Sequence, residues 1–387
     1  MDNRVTVASC PDYQAETVDQ ALEQVLAPLG GMSQFVKPGQ RVFIKCNLLM
    51  KRRPETATTT HPALVAAVVR QVQQAGGIAI LGDSPGGPFN GKALQGVYDL
   101  CGLTQVADET GCLLNFDCNS EDVSFPDGRF IQRIPLIKAA HEADVLINLP
   151  KLKTHGITLI TAGVKNLFGL IPGLTKIEYH LRMPDHQDFS AFLVELCRLV
   201  QPDLTIMDAV VGMEGHGPSG GNPIQVGAIV ASRNPFAHDV VAATLAGVEP
   251  ERVTTIAAAK RLGLHSGRLE DVQLIGSLEG LCREFKTPKL MPRVDFLSWI
   301  LPRKLADRLV KWVSPRPVFT PEACIGCGVC VNSCPPHALE AKTYPPTINL
   351  DKCIRCFCCQ ELCPVKAIKV QQPGLARLFF RRKGKKQ

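Results

Sequence analysis

The sequence predicts an α/β domain, built on a mostly parallel sheet with flanking helices, followed by a small cysteine-rich α+β module. Three observations predict this. Short apolar runs alternate with segments of helical apolar spacing along residues 1–285. Polar, glycine-rich stretches follow several of those runs, and in open α/β sheets ligands bind beyond the carboxyl ends of the strands. Half of the 16 cysteines fall into two identical spacings between 324 and 363.

Residues 5–8 read as a first strand and 17–29 as a helix. The run 41–49, "RVFIKCNLL", follows the turn signal Lys37-Pro38-Gly39-Gln40 and reads as a strong strand. Residues 61–75 have helical spacing, with Thr60 as N-cap and Pro62 in the first turn. A strand at 77–81 ends in Gly82-Asp83-Ser84-Pro85-Gly86-Gly87; a helix over 90–101 follows, and 112–135 alternates loosely as an antiparallel pair. The buried strand 143–149, "ADVLINL", runs into Pro150-Lys151-Leu152-Lys153-Thr154-His155. Helices are expected over 161–170, 189–200, 235–246 and 251–262. Strands are expected at 204–211, ending in the glycine-rich 212–217, at 226–232 and at 272–276. Residues 286–318, with five prolines and both tryptophans, read as a linker carrying short amphipathic helices at 294–301 and 303–313. The cysteine module spans 319–371, and 372–387 is a basic tail.

At 387 residues, 45% hydrophobic and 20% charged, the chain has the composition of a globular protein of two or three domains. The start lacks a basic segment followed by an apolar run, and no stretch reaches the ~18 apolar residues of a membrane span. Thiols scattered outside the two runs indicate a reducing cytoplasm. The net charge of +7 is concentrated partly in the tail (Arg377, Arg381, Arg382, Lys383, Lys385, Lys386), which suits peripheral membrane contact. Basic residues elsewhere are dispersed without aromatic interleaving, which argues against nucleic-acid binding. There is no G-x-S-x-G elbow and no Walker A motif, and Gly212-x2-Gly215-x-Gly217 is not a dinucleotide fingerprint.

The runs are Cys324-x2-Cys327-x2-Cys330-x3-Cys334-Pro335 and Cys353-x2-Cys356-x2-Cys359-x3-Cys363-Pro364. This is the bacterial ferredoxin spacing. Three thiolates on one tight loop hold three irons of a cubane, and the fourth cysteine of each run ligates the other cluster. Cys324, Cys327, Cys330 and Cys363 are thus expected to hold one 4Fe–4S cluster, and Cys353, Cys356, Cys359 and Cys334 the second. Zinc sites normally pair two CxxC halves, and disulfides need an oxidising compartment. Cys358 is an extra thiol, read as a non-ligand.

A second constellation lies at the expected strand ends: Lys45 and Asn47; Asp83 and Ser84; Lys151, Lys153 and His155; Lys165 and Asn166; Asp208; Glu214 and His216; Asp239. Lys45 sits inside an apolar strand, where an ammonium without a partner would be costly. Lys151 and Lys153 flank one leucine, so on an extended segment they share a face. Cations converging there suit an anionic substrate or a developing negative charge.

The stretches "IKCNLL", "THPALV", "GDSPGG", "INLPKLKTHGITLITAGVKNLFGL" and "DAVVGMEGHGP" resemble the family known as domain of unknown function 362, whose members often carry a C-terminal two-cluster ferredoxin module. The resemblance spans about residues 4–280 and implies architecture and a choice of site residues, not an activity. Where the family has proline in "K-P-N", this chain has Cys46, which puts a thiol in the expected cleft wall; a buried free cysteine behaves as a small hydrophobe.

The expected function is an iron–sulfur oxidoreductase. Its clusters would pass electrons from a redox partner protein to a small anionic substrate, or to a bound organic cofactor, in the α/β domain. Lys45, Lys151, Lys153, His155 and Lys165 would act in catalysis, and Asn47, Asp83, Ser84, Asn166 and His216 in binding. His155 would supply protons from a pKa near ~6.5. The alternatives are an electron carrier or maturation partner whose α/β domain docks a client, and a lyase or racemase with structural clusters.

Overall fold

The computed structural model describes residues 2–183, 185–288, 315–334 and 336–371. They belong to two compact units, 1–287 and 288–387. The helices expected at 294–301 and 303–313 and the tail 372–387 lie outside the described residues.

The first unit is built on a ten-stranded mixed sheet. Its strands are β1 (Arg4–Ser9), β2 (Arg41–Cys46), β3 (Ile78–Gly82), β4 (Leu113–Leu114), β7 (Val145–Leu149), β8 (Lys151–His155), β9 (Leu159–Thr161), β10 (Leu204–Glu214), β11 (Asn222–Ser232) and β12 (Gln273–Ile275); β5 (Ser120–Ser124) and β6 (Arg133–Ile137) form a separate antiparallel pair. The order is β12-β1-β11-β10-β7-β2-β3-β4, with β8 beside β10 and β9 beside β8. Most joins are parallel; β11 runs antiparallel to both β1 and β10, and β9 to β8.

Parallel strands covered on both faces read as continuous apolar runs, and the alternation along them decides where polar residues go. On β2, Val42, Ile44 and Cys46 enter one core with the helices Ala15–Leu26 and Pro62–Gln74. Phe43 enters the opposite core with Leu146 of β7 and the helix His186–Val200. By the period of two, Lys45 on β2 and Asn148 on β7 share the face of Phe43 and Leu146, at the strands' carboxyl ends and paired in register. The same alternation corrects the expected place of Cys46. It lies in the first core, fully buried, with its thiol pushed up by burial, and is a packing residue.

Other departures are local. The helix at 62 is capped by His61, whose Nδ1 accepts the Ala63 amide; Thr60 Oγ1 instead accepts the Asn47 amide and donates to Leu149 O. Residues 151–155, expected as an extended segment, are a strand: beyond Pro150 the chain leaves β7 and continues as β8 alongside β10, with Asp208 opposite Lys151. The strand expected to stop at 211 runs to Glu214 and folds back as β11.

The second unit has an internal repeat at an offset of 29 residues, set by Cys324 and Cys353 and by Cys334 and Cys363. Strand β13 (Arg316–Phe319) pairs with β16 (Ile368–Gln371), and β14 (Leu339–Glu340) with β15 (Thr347–Ile348). Each strand before one run thus pairs with the strand after the other. Residues 316–318, assigned to the linker from sequence, are part of this pairing. Left-handed backbone recurs at equivalent places, Gly326 with Arg355 and Gly328 with Phe357.

Candidate functional site

At the carboxyl ends of β2 and β3 the buried Lys45 Nζ meets Asp83 Oδ1 at 2.7 Å and donates to Cys46 O at 2.8 Å. Asp83 also accepts the amides of Leu48 and Ser84, both at 2.7 Å. Neutralisation is what makes these buried charges tolerable. Gly169 closes over the pair. A Cβ there would lie 2.3 Å from Asp83 Oδ1 and 2.6 Å from Lys45 Nζ, so only glycine fits. Ser84 Oγ accepts the Gly173 amide at 2.6 Å.

The sequence analysis missed the next member. Lys176 Nζ donates to Ser84 O (2.7 Å), Ser84 Oγ (3.0 Å) and Ile171 O (2.7 Å). Burial, reinforced by Lys45 and Lys165 against the opposing pull of Asp83, pushes its pKa down to about 7. Its segment, "GLTKIEYH", offers no apolar context that would have flagged it.

Beside this lies an amide network. Lys153 Nζ donates to Asn47 Oδ1 and Thr58 O, both at 2.7 Å; Asn47 Nδ2 donates to Asn166 Oδ1 at 2.9 Å, and Asn166 Nδ2 to Asn148 Oδ1 at 2.8 Å. Asn166 is delivered by the short helix Gly163–Asn166, whose first amides, Gly163 N and Val164 N, are accepted by Asp239 at 2.7 and 3.1 Å. Asp239 is therefore a helix cap.

Lys151 takes a different partner. Its Nζ lies 2.7 Å from Asp208 Oδ2 and 2.7 Å from the Tyr13 hydroxyl, which itself donates to Asp208 Oδ1 at 2.8 Å. The His61 amide completes Asp208, and the His61 ring stacks on Tyr13 at 3.6 Å. Tyr13 and His61 were not singled out from sequence, because they reach Asp208 from positions far along the chain. The expectation of two ammonium groups acting together is corrected accordingly: Lys151 is neutralised by Asp208, and Lys153 is bound to amide and carbonyl oxygens.

A third region is basic and aromatic. Lys165 Nζ lies 4.4 Å from the Phe168 ring centroid and 5.9 Å from that of Phe189. His180 stacks on Phe189 at 4.4 Å. Burial holds His180 down at about 3, with Lys165 and His186 pushing the same way. His155 is also buried and held well below its usual 6.5, by desolvation first and then by Lys165, His180, Lys153 and His186. Its Nδ1 accepts the Ile157 and Thr158 amides at 3.1 and 3.2 Å. His155 is thus a neutral turn-fixing imidazole, and the expectation that it titrates near 6.5 fails. His216 is exposed on the loop between β10 and β11; Thr154 Oγ1 donates to the preceding Gly215 O at 3.0 Å.

None of the cysteines of the second unit is in a disulfide. Cys334, Cys353, Cys356 and Cys359 line one recess. Cys363 packs with Cys324, Cys330 and Cys359. The Ala338 amide donates to Cys334 Sγ and the Ala367 amide to Cys363 Sγ, both at 3.2 Å, a repeat-related pair of amide–sulfur bonds of the kind that supports thiolate ligands. Among the described residues no three Cys, His, Asp or Glu side chains converge on one point as a single metal ion requires. A cubane instead spreads its thiolates over separate irons, and the cysteine donor set fits it.

These features define a mixed α/β protein joined to a cysteine-rich module of iron–sulfur type. Residues 42–244 match the family model described as "Domain of unknown function (DUF362)", and 316–364 match a 4Fe-4S dicluster domain. The chain belongs to the DUF362 family and is an iron–sulfur protein that binds 4Fe–4S. It is 38% identical over 334 residues to "Thylakoid-associated protein sll1697" of Synechocystis sp. (strain ATCC 27184 / PCC 6803 / Kazusa), covering 84% of this chain and 100% of that protein. A looser likeness is to the lactate racemase apoprotein from Thermoanaerobacterium thermosaccharolyticum, with TM-score 0.40 and 17% identity, over 64% of this chain and 58% of that one. No helix among the described residues is long and apolar enough to cross a membrane.

Proposed function

We propose that the chain is a reductase that carries two 4Fe–4S clusters and acts on a small anionic substrate, or on an anionic bound cofactor, at the strand ends of the α/β unit. The observation that carries this reading is the pair of lysines around the buried His155: after burial, Lys165 and Lys153 are among the neighbours that push its pKa down. Lys45 and Lys151 are held by Asp83 and Asp208, so they shape the site, and Lys153 and Lys165 add the positive charge that suits an anion. Phe168 and Phe189 lie beside Lys165, and an apolar flank strengthens its pull on negative charge. Lys176, near neutral pKa, donates the proton that must accompany an added electron. The clusters, when bound, supply electrons one at a time.

The thylakoid association named for the relative, together with the basic residues after 376, supports a cytoplasmic protein in peripheral contact with a membrane surface. A second reading, an electron carrier docking a client protein, is favoured by one observation: two of the four lysines first assigned to catalysis are already neutralised internally.

Native mass spectrometry on anaerobically purified protein tests both. A mass with eight irons and a further small anion, lost in a Lys153→Ala/Lys165→Ala variant that keeps its iron, supports the reductase. Eight irons with no further ligand, in the parent and in the variant alike, would shift the assignment to the carrier.

A further inference from the structure

The internal repeat allows each cluster site to serve as a control for the other. At the third position of the first run stands Gly326, with φ 67°, and 29 residues later stands Arg355, with φ 57°. Glycine takes that backbone freely, whereas arginine there is strained. The surroundings differ as well. In the first run Ile325 and Cys327 are exposed and none of the residues 324–332 is buried. In the second run Arg355, Phe357 and Cys358 are all buried, Arg355 to 6% exposure. A charged side chain has therefore been drawn into the second cysteine loop at a position where the first loop keeps no side chain.

Two effects oppose each other at the second site. A 4Fe–4S centre with four thiolates becomes more negative on reduction. Removing it from water disfavours the reduced state, whereas a nearby fixed cation favours it. We infer that Arg355 is a positioning residue for electron transfer: its buried guanidinium raises the reduction potential of the cluster held by Cys353, Cys356, Cys359 and Cys334. It thereby offsets the burial of that loop, a correction the first loop, with Gly326 in the equivalent place, does not carry. The step is the addition of one electron to a cluster, with no bond made or broken.

The inference rests on the two-cluster reading, and the test keeps the two separable. The full chain is purified anaerobically, its iron counted, and its clusters titrated with dithionite under mediators while the reduced signals are followed by electron paramagnetic resonance. Eight irons and two reductive transitions establish the starting point; four irons would remove the two-cluster reading before any variant is made. In Arg355→Gly, which the left-handed backbone accommodates, one midpoint falls and the other stays. The partition of an electron between the clusters should change by about tenfold or more, which is ~59 mV for one electron. Arg355→Gln, which keeps the length without the charge, should fall likewise, and Arg355→Lys should stay near the parent. Midpoints unchanged in both neutral variants, or both midpoints moving together, would overturn the assignment. Loss of iron in Arg355→Gly with a normal potential in Arg355→Gln would reduce Arg355 to a packing role.

Discussion

The two units hold their polar groups in opposite ways. At the strand ends of the α/β unit, buried charges are matched within the protein, Lys45 by Asp83 and Lys151 by Asp208 with Tyr13. In the cysteine module the polar groups are thiols presented by short loops, with two-residue strand pairing at β14–β15 and a core of a few side chains. The first unit carries its own electrostatic partners through folding; the second depends on what its thiols bind. The largest expected effect follows. Anaerobic chelation of iron should abolish the thermal transition of residues 315–371 and leave that of residues 2–287 in place, read by calorimetry on holo and apo protein. Loss of both transitions together would mean that the α/β unit is not self-sufficient.

The next effect lies within the α/β unit. Asp208→Ala removes the carboxylate that accepts from Lys151, Tyr13 and the His61 amide, leaving a buried ammonium without its counter-charge. Breaking a buried pair by removing one partner costs about 3–5 kcal/mol. The same protein should retain its iron, because the loss falls on the other unit. Urea melts with an iron assay on each sample check both halves of the statement. A loss no larger than that of a surface substitution would show that Lys151 finds another partner.

The cysteine site was legible because its chemistry is contiguous: all the ligand candidates fall between 324 and 363 at fixed spacing. The strand-end site was legible only as a collection of residue types. Lys45 and Asp83 were both singled out, but their pairing depends on β2 lying beside β3 in a register that puts Lys45 opposite Gly82. Tyr13 and His61 were missed because nothing local marks them, and β8 was read only as an extended segment, since Pro150 and two lysines give no sign of its place beside β10. The position of His155 was found, but its chemistry was not. Its burial and its bonds to two amides come from the hairpin β8–β9, which the sequence did not reveal.

A pH profile sharpens the contrast further. Burial holds His180 at about 3 in the fold, against 6.5 for a free imidazole. The folded pKa is depressed, so below about pH 6.5 the unfolded chain takes up a proton that the fold refuses. Stability contributed by this group is therefore intact above 6.5 and declines as pH falls toward 3. The slope is ~1.4 kcal/mol per pH unit, or about 2 kcal/mol lost by pH 5. His155 and His61, the latter pushed down to about 4 by burial, act in the same direction. Denaturant melts of the α/β unit at pH 7 and pH 5 should show the loss, and His180→Phe, which keeps the stack on Phe189, should lessen it. A flat profile between those values would mean that these imidazoles are hydrated.

The smallest expected effect separates burial from mere pairing. Lys260 and Glu251 form an ion pair as close as any among the described residues, yet both side chains are about half exposed, at 51% each. Water and salt screen such a pair, and holding two long side chains in one geometry costs entropy. Lys260 sits in the last turn of the helix Thr254–Arg261, where its charge also faces the helix dipole; Lys260→Gln removes both contributions and keeps the length. The midpoint of the urea melt should move no further than its error, at low and at high salt alike. Set beside Asp208→Ala under the same conditions, a comparable loss would show that pairing alone, and not burial, makes the strand-end charges important. A null shift assigns their importance to the low-dielectric interior in which β8 and β10 hold them.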